Sequence, residues 1–129
     1  MNNPRMTVKE RNLLKGAIRR VFSRSDLRRQ ALSICIIQDY HDPSRPRVTK
    51  WGRCSYCNKP EPLYLMQVDH QIPIIPTNSA LEFMSWDEVV NRTWCEKNNL
   101  FPSCKPCHSA KSKIESKERR DYKRSKKNE

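Results

Sequence analysis

Residues 99–111 read Asn-Leu-Phe-Pro-Ser-Cys-Lys-Pro-Cys-His-Ser-Ala-Lys. They hold a Cys-x-x-Cys knuckle (Cys104, Cys107), a histidine directly after it (His108) and a lysine three places on (Lys111). Upstream lie a second knuckle, Cys54 and Cys57, and the dipeptide Asp69-His70. Each knuckle can present two thiolates from one tight turn, and four thiolates complete a closed tetrahedral zinc site, which is structural because no position stays open. Disulfides or coincidence are the other readings of the same spacing. Cys35 and Cys95 have no partner knuckle and read as buried thiols, with Cys95 near enough in sequence to touch the metal shell.

The second set supports different chemistry. Asp69-His70 ends an apolar run, and successive side chains of a strand point to opposite faces. With Asp69 turned toward the final helix, His70 turns toward solvent and substrate. His108 begins that helix and can meet Asp69. A carboxylate and an imidazole, completed by water, make an open divalent-metal site with room for a phosphate oxygen. His70 is then free to act as general base. The Asn99 amide carbonyl is expected to accept from the His70 ring N–H and so fix its tautomer. Singly, each residue has a plainer role: His108 as a fourth zinc ligand, Asn99 as a turn residue, Lys111 as a surface lysine instead of a phosphate contact.

These pieces need elements to position them. Thr7-x-x-Glu10 is a capping box, and Leu13, Leu14, Ala17, Ile18, Val21 and Phe22 follow at helical spacing. Arg11, Lys15, Arg19 and Arg20 fall largely on the other face. Gly16 interrupts the pattern at a cost of about 1 kcal/mol. Ser25 and Asp26 can cap a second helix to about Gln38, with Arg24, Arg28 and Arg29 in its first turns. The two helices either lie along phosphates or form a packed hairpin with a solvated face. His41 to Lys50 reads as a linker, and Trp51 to Pro62 as the first knuckle. Leu63 to Asp69 reads as a strand, and Ile72 to Pro76 as an apolar loop that its prolines keep irregular. Ser85-x-x-Glu88 opens a helix to about Trp94, with Val89, Val90 and Thr93 near Trp86 on its inner side. Lys97 to Ser103 is a turn and short strand. Pro106 suits the first turn of a last helix running to about Tyr122, supported by Lys111–Glu115 and Glu115–Arg119 at i,i+4. Lys123 to Glu129 is expected to fray.

A chain of 129 residues is expected to form one domain. With modest apolar content and two glycines, so small a core calls for reinforcement by metal or disulfide. The first twenty residues are charged throughout, so no secretory leader is expected, and no apolar run is long enough for a bilayer. A reducing cytoplasm is the expected compartment, where paired knuckles read as metal ligands. The net charge of +12 is uneven. Residues 1–50 carry 12 basic and 4 acidic side chains, residues 51–110 carry 5 and 6, and residues 111–129 carry 9 and 4. A near-neutral centre between two basic arms points to a polyanion, with DNA the expected partner. Solubility alone is the plainer reading of the same charge.

Cys-x-x-Cys, Val-Asp-His, Asn-Leu and Cys-x-x-Cys-His-x-x-Lys, in this order, resemble the four-cysteine HNH endonucleases. The matching residues are Cys54, Cys57, Val68, Asp69, His70, Asn99, Leu100, Cys104, Cys107, His108 and Lys111. The stretch Trp86-Asp87-Glu88-Val89-Val90, with Trp94-Cys95 before Asn99, is similar to small HNH proteins of tailed bacteriophages and prophages. The resemblance covers roughly residues 51–112. The insert from Gln71 to Lys97 lacks the family's usual glycines, and Asn98 is a neighbouring candidate for the asparagine role.

The residue patterns and the resemblance together imply a small, mostly helical α+β fold. Its centre is a ββα-metal unit (51–112) stapled by a four-cysteine zinc site, between a basic N-terminal helical arm and linker (1–50) and a basic C-terminal helix and tail (113–129). It implies divalent-metal-dependent hydrolysis of DNA phosphodiester bonds, leaving 5′-phosphate and 3′-hydroxyl ends. His70 is then the base, Asn99 its orienter, Asp69 and His108 the ligands of Mg²⁺, Mn²⁺ or Ni²⁺, and Zn²⁺ the structural ion. Lys111, Arg19, Arg20, Arg28, Arg29, Lys113 and Lys117 are the expected DNA contacts. Packaging or other DNA-processing proteins are expected partners by analogy, and no membrane is. The competing function is a zinc-stapled DNA- or protein-binding module with an idle HNH site.

Overall fold

A computed structural model describes residues 3, 5–81 and 84–127. The chain is α+β, built from four helices and two small antiparallel sheets among the described residues. In order these are α1 (Val8–Ser23), α2 (Asp26–Ile34), β1 (Trp51–Arg53), β2 (Pro60–Pro62), β3 (Gln67–His70), α3 (Trp86–Thr93), β4 (Leu100–Ser103) and α4 (Lys105–Lys127). No described helix is long and apolar enough to cross a membrane.

Both capping boxes do their work locally. The Thr7 hydroxyl accepts from the Glu10 N–H at 3.1 Å, and the Glu10 carboxylate accepts from the Thr7 N–H at 3.0 Å. Ser85 caps α3 with half of its box: its hydroxyl accepts from the Glu88 N–H at 3.0 Å and donates to the Glu88 carboxylate at 3.3 Å. The inner faces depart from the apolar pattern. On α1, Leu13 and Val21 are 60% and 62% exposed. The stripe that turns inward is Arg11, Lys15, Ile18 and Phe22. Ile18 and Phe22 are claimed by two separate clusters, Ile75–Met84–Val89 and Ala31–Leu100. The rotation that satisfies both leaves the leucines outside. On α3, Val89 and Thr93 are buried, but Val90 points out.

Three boundaries also move. The second helix ends at Ile34, because Ile36 and Ile37 are drawn alongside β1. The Ile37 N–H donates to the Trp51 carbonyl at 2.8 Å, and the Arg53 N–H donates to that of Cys35 at 2.9 Å. Consecutive β-branched residues suit that extended edge better than a helix. The expected strand from Leu63 begins only at Gln67, after a 3-10 turn over Leu63–Leu65. The last helix continues past Tyr122 to Lys127, where frayed chain was expected; Lys126 lies over the Tyr122 ring and the Ser125 hydroxyl donates to the Tyr122 carbonyl. Residues 128–129 lie outside the described residues.

Two ribbons frame the site. β1 pairs with β2 from Trp51↔Pro62 to Arg53↔Pro60, and the first knuckle is the turn between them. Asn58 closes that turn at φ 62°, a left-handed conformation asparagine tolerates. β3 pairs with β4 from Gln67↔Ser103 to His70↔Leu100, and α4 follows directly and packs on β3. The Ser55 N–H donates to the Pro102 carbonyl at 2.9 Å, tying the first knuckle to β4.

Gly52 is where α2's exit and the ribbon come closest. A Cβ there would lie 2.5 Å from the Met66 sulfur and 2.8 Å from that of Cys35. Met66 is buried at 2% exposure and has nowhere to retreat. Gly52→Ala is therefore expected to destabilise the fold by about 1–3 kcal/mol. Chemical denaturation checks this, and an unchanged midpoint would mean that the two sulfurs yield.

Candidate metal centre and adjoining cleft

The four knuckle cysteines meet. Their sulfurs lie within 4.8 Å of one another, able to hold one metal ion. The Cys57 and Cys104 sulfurs are 3.8 Å apart, the edge of a tetrahedron with metal–sulfur bonds of about 2.3 Å. The cluster is compatible with zinc. Burial would raise the Cys54 thiol, but backbone N–H groups of Cys104, Cys57 and Tyr56 bring it down to about 6. Cys107 is pushed up to about 12, by its hydrogen bond with Cys104 and then by burial. Cys35 and Cys95 stand outside the cluster, half-buried.

Tyr56 sits between the first two cysteines and reaches across to β3. Its hydroxyl donates to Asp69 Oδ2 at 2.5 Å. Burial, and then the Asp69 bond, push the Tyr56 phenol well above its ordinary value, so it remains a donor. Lys111 Nζ lies 3.2 Å from the same Oδ2, donates to the His70 carbonyl at 3.1 Å and pairs with Glu115. This ammonium is committed inside the protein. Lys111 braces Asp69 and the end of β3, where a phosphate contact was expected of it. The other carboxylate oxygen, Oδ1, faces His108 Nε2 at 3.9 Å, too far for a hydrogen bond.

His70 is held by a group the sequence does not single out. Its Nε2 lies 2.8 Å from the Thr93 carbonyl. A carbonyl only accepts, so in the neutral ring Nε2 carries the proton and Nδ1 keeps a free lone pair. Phe22 packs on the ring at 5.0 Å between centroids. Asn99 does not orient this ring. Its Oδ1 accepts from the Ile72 N–H at 2.7 Å, and its Nδ2 donates to the Ile72 carbonyl at 3.2 Å and to the Cys95 sulfur. Both amide atoms are used on the loop that leaves β3, so Asn99 fixes where His70 ends rather than how its ring turns.

Asp69, His70 and His108 line one cleft of about 300 Å³. Lys15 and Arg19 of α1 and Arg119 of α4 line it as well. Of the expected DNA contacts, only Arg19 is brought here. Arg20 and Arg29 border a second groove, and Arg29 is paired with Asp26. Arg28 borders a third groove with Arg47 and Lys50. Lys113 and Lys117 are exposed on α4. Sequence reasoning passed over Tyr56, Thr93, Lys15, Glu115 and Arg119. The sequence places Lys15 on the basic face of α1, either lying along phosphates or solvated, and pairs Glu115 with Lys111 and Arg119 only as support for the last helix.

The fold and site define a small α+β protein with a four-cysteine cluster able to hold a metal ion. Beyond that class, no protein-family model, no curated protein and no solved structure matches the chain.

Proposed function

We propose that this chain is a metal-dependent endonuclease of DNA, of the HNH kind its motifs resemble. The observation that carries the reading is the state of His70. With Nε2–H given to the Thr93 carbonyl, Nδ1 keeps its lone pair on a residue that lines the same cleft as Asp69 and His108. The donor set fits a catalytic divalent ion. A carboxylate oxygen and an imidazole nitrogen 3.9 Å apart fall within the roughly 4.2 Å spanned by two ligands about 2.1 Å from one centre. Such an ion, when bound, supplies Lewis-acid stabilisation of charge developing on the phosphate and leaving oxygen.

The chain's own residues do the rest. His70 Nδ1 takes the proton of a water attacking phosphorus, a step general bases accelerate by about 10²–10⁴. Bond cleavage on the 3′ side leaves a 5′-phosphate and a 3′-hydroxyl. Tyr56 and Lys111 both hold Asp69 Oδ2, keeping Oδ1 turned to the cleft. Asn99 keeps the chain beyond His70 in place through both backbone groups of Ile72.

Supercoiled plasmid incubated with Mg²⁺, Mn²⁺ or Ni²⁺, with and without EDTA, tests the reading. Nicked or linear product in metal, abolished by EDTA, is expected. A folded, zinc-loaded protein that binds plasmid and cuts with none of the three ions is a binding module, and the nuclease reading fails.

A further inference from the structure

The cleft beside His70 has a roof that neither the metal ligands nor the base require. Lys15 and Arg19 reach it from α1, and Arg119 reaches it from α4, about a hundred residues later in the chain. Lys15 is half-buried, and among the described residues no carboxylate pairs with it or with Arg19. Arg119 is aimed before any ligand arrives: its Nη2 donates to the Ile75 carbonyl at 2.8 Å, and its nearest acid, Glu115, lies at 3.8 Å. Glu115 is already shared with Lys111, and Asp69 with Tyr56 and Lys111. Glu115 and one oxygen of Asp69 are therefore occupied, while three cations line the same cleft.

That arrangement is unfavourable in the free protein. Burial, then repulsion from Arg19 and Arg119, lowers the Lys15 pKa. An anion seated among the three relieves both penalties at once. The guanidinium of Arg119 keeps N–H groups for an oxyanion, and Lys15 adds a compact charge on a flexible stem. We propose that Lys15, Arg19 and Arg119 form a phosphate clamp that seats a phosphodiester of the DNA strand next to the bond facing His70. The proposal rests on the nuclease reading and extends it: α1 becomes one jaw of the substrate channel. It also gives a use to Lys15, which α1 turns inward while Leu13 and Val21 face solvent.

Binding separates the clamp from catalysis. A fluorescently labelled DNA duplex is titrated by anisotropy with the zinc-loaded protein and no added divalent ion across a salt series, using wild type, Lys15→Gln, Arg19→Gln and the double variant. Each lost phosphate contact should flatten the slope of log K against log salt by about 0.9, so the double variant should lose about 1.8. Lys59→Gln, a change at an exposed cation away from the cleft, should leave the slope unaltered. In the cutting assay the variants should raise KM with kcat little changed. Glutamine keeps most of each stem, and zinc content with circular dichroism verifies folding. Because Arg19 is exposed, its variant serves should Lys15→Gln disturb α1. Wild-type slopes in both single variants, or an equal loss in Lys59→Gln, overturn the clamp even if the wild type cuts DNA. A wild type whose binding depends on Lys15 yet cuts nothing keeps the clamp and sinks the nuclease reading. A wild type that binds no DNA overturns both.

Discussion

Alanine at His70 should lower plasmid nicking by about 10²–10⁴ and leave divalent-ion affinity at its wild-type value. The assignment gives the free Nδ1 of this ring to the attacking water and not to the ion, its Nε2–H being committed to the Thr93 carbonyl. His108→Ala should do the reverse. It removes one of two protein donors facing the cleft, so affinity itself falls and high metal concentration partly restores cutting. Asn99→Ala should fall between wild type and His70→Ala, because it frees Ile72 and lets the end of β3 drift. None of the three touches a knuckle cysteine, so zinc content should not change. Calorimetric titration of Mn²⁺ into each variant, beside a nicking assay, separates the roles. If His70→Ala abolished ion binding while His108→Ala bound normally, the assignment would be reversed and the site wrong.

Cys54→Ser or Cys107→Ser should cost the whole fold. Structural zinc contributes about 10–16 kcal/mol in small metal-stabilised domains, whereas a domain's net stability is about 5–15 kcal/mol. The apolar clusters here are small, three buried residues in each among those described, and cannot make up that loss. Cys54 is also the acceptor for the N–H groups of Cys104 and Tyr56 at 3.4 Å. Changing it therefore disturbs both knuckles, and with them the tyrosine that braces Asp69. Elemental analysis should find one zinc per chain in wild type, and a strong chelator should abolish cooperative melting by circular dichroism. Folded wild type with well under one zinc per chain would contradict this.

What could be read from the residues was local or paired. Thr7 with Glu10 and Ser85 with Glu88 identified two helix starts, because a capping box lies within one turn. The cysteine pairs identified the cluster, because ligands two residues apart must share a turn. Asp69, His70 and His108 reach one cleft, as their order implied. The losses were non-local. Every residue has a carbonyl, so nothing in the sequence marks that of Thr93 as the partner of His70. Asn99 was matched to the nearest ring, when two backbone groups of Ile72 offered a better fit for an amide. The face of α1 was chosen from its leucines, but Ile18 and Phe22 each answer to a different cluster. The second helix was carried too far because the strand that recruits Ile36 and Ile37 lies beyond the linker.

The pairing of β3 with β4 joins residues 36 apart in sequence, Gln67 with Ser103. Such a ribbon is slow to nucleate, because the closure entropy comes due before any contact forms. The clasped knuckles change that route. With Cys57 held beside Cys104, the path from Gln67 to Ser103 shortens from 36 residues to about 11, which lowers the closure cost by about 1 kcal/mol. Pairing can then zip away from the clasp, through Val68↔Pro102 and Asp69↔Phe101, and reach His70↔Leu100 last. The histidine thus stands on the last paired rung of β3, the end of the ladder farthest from the clasp.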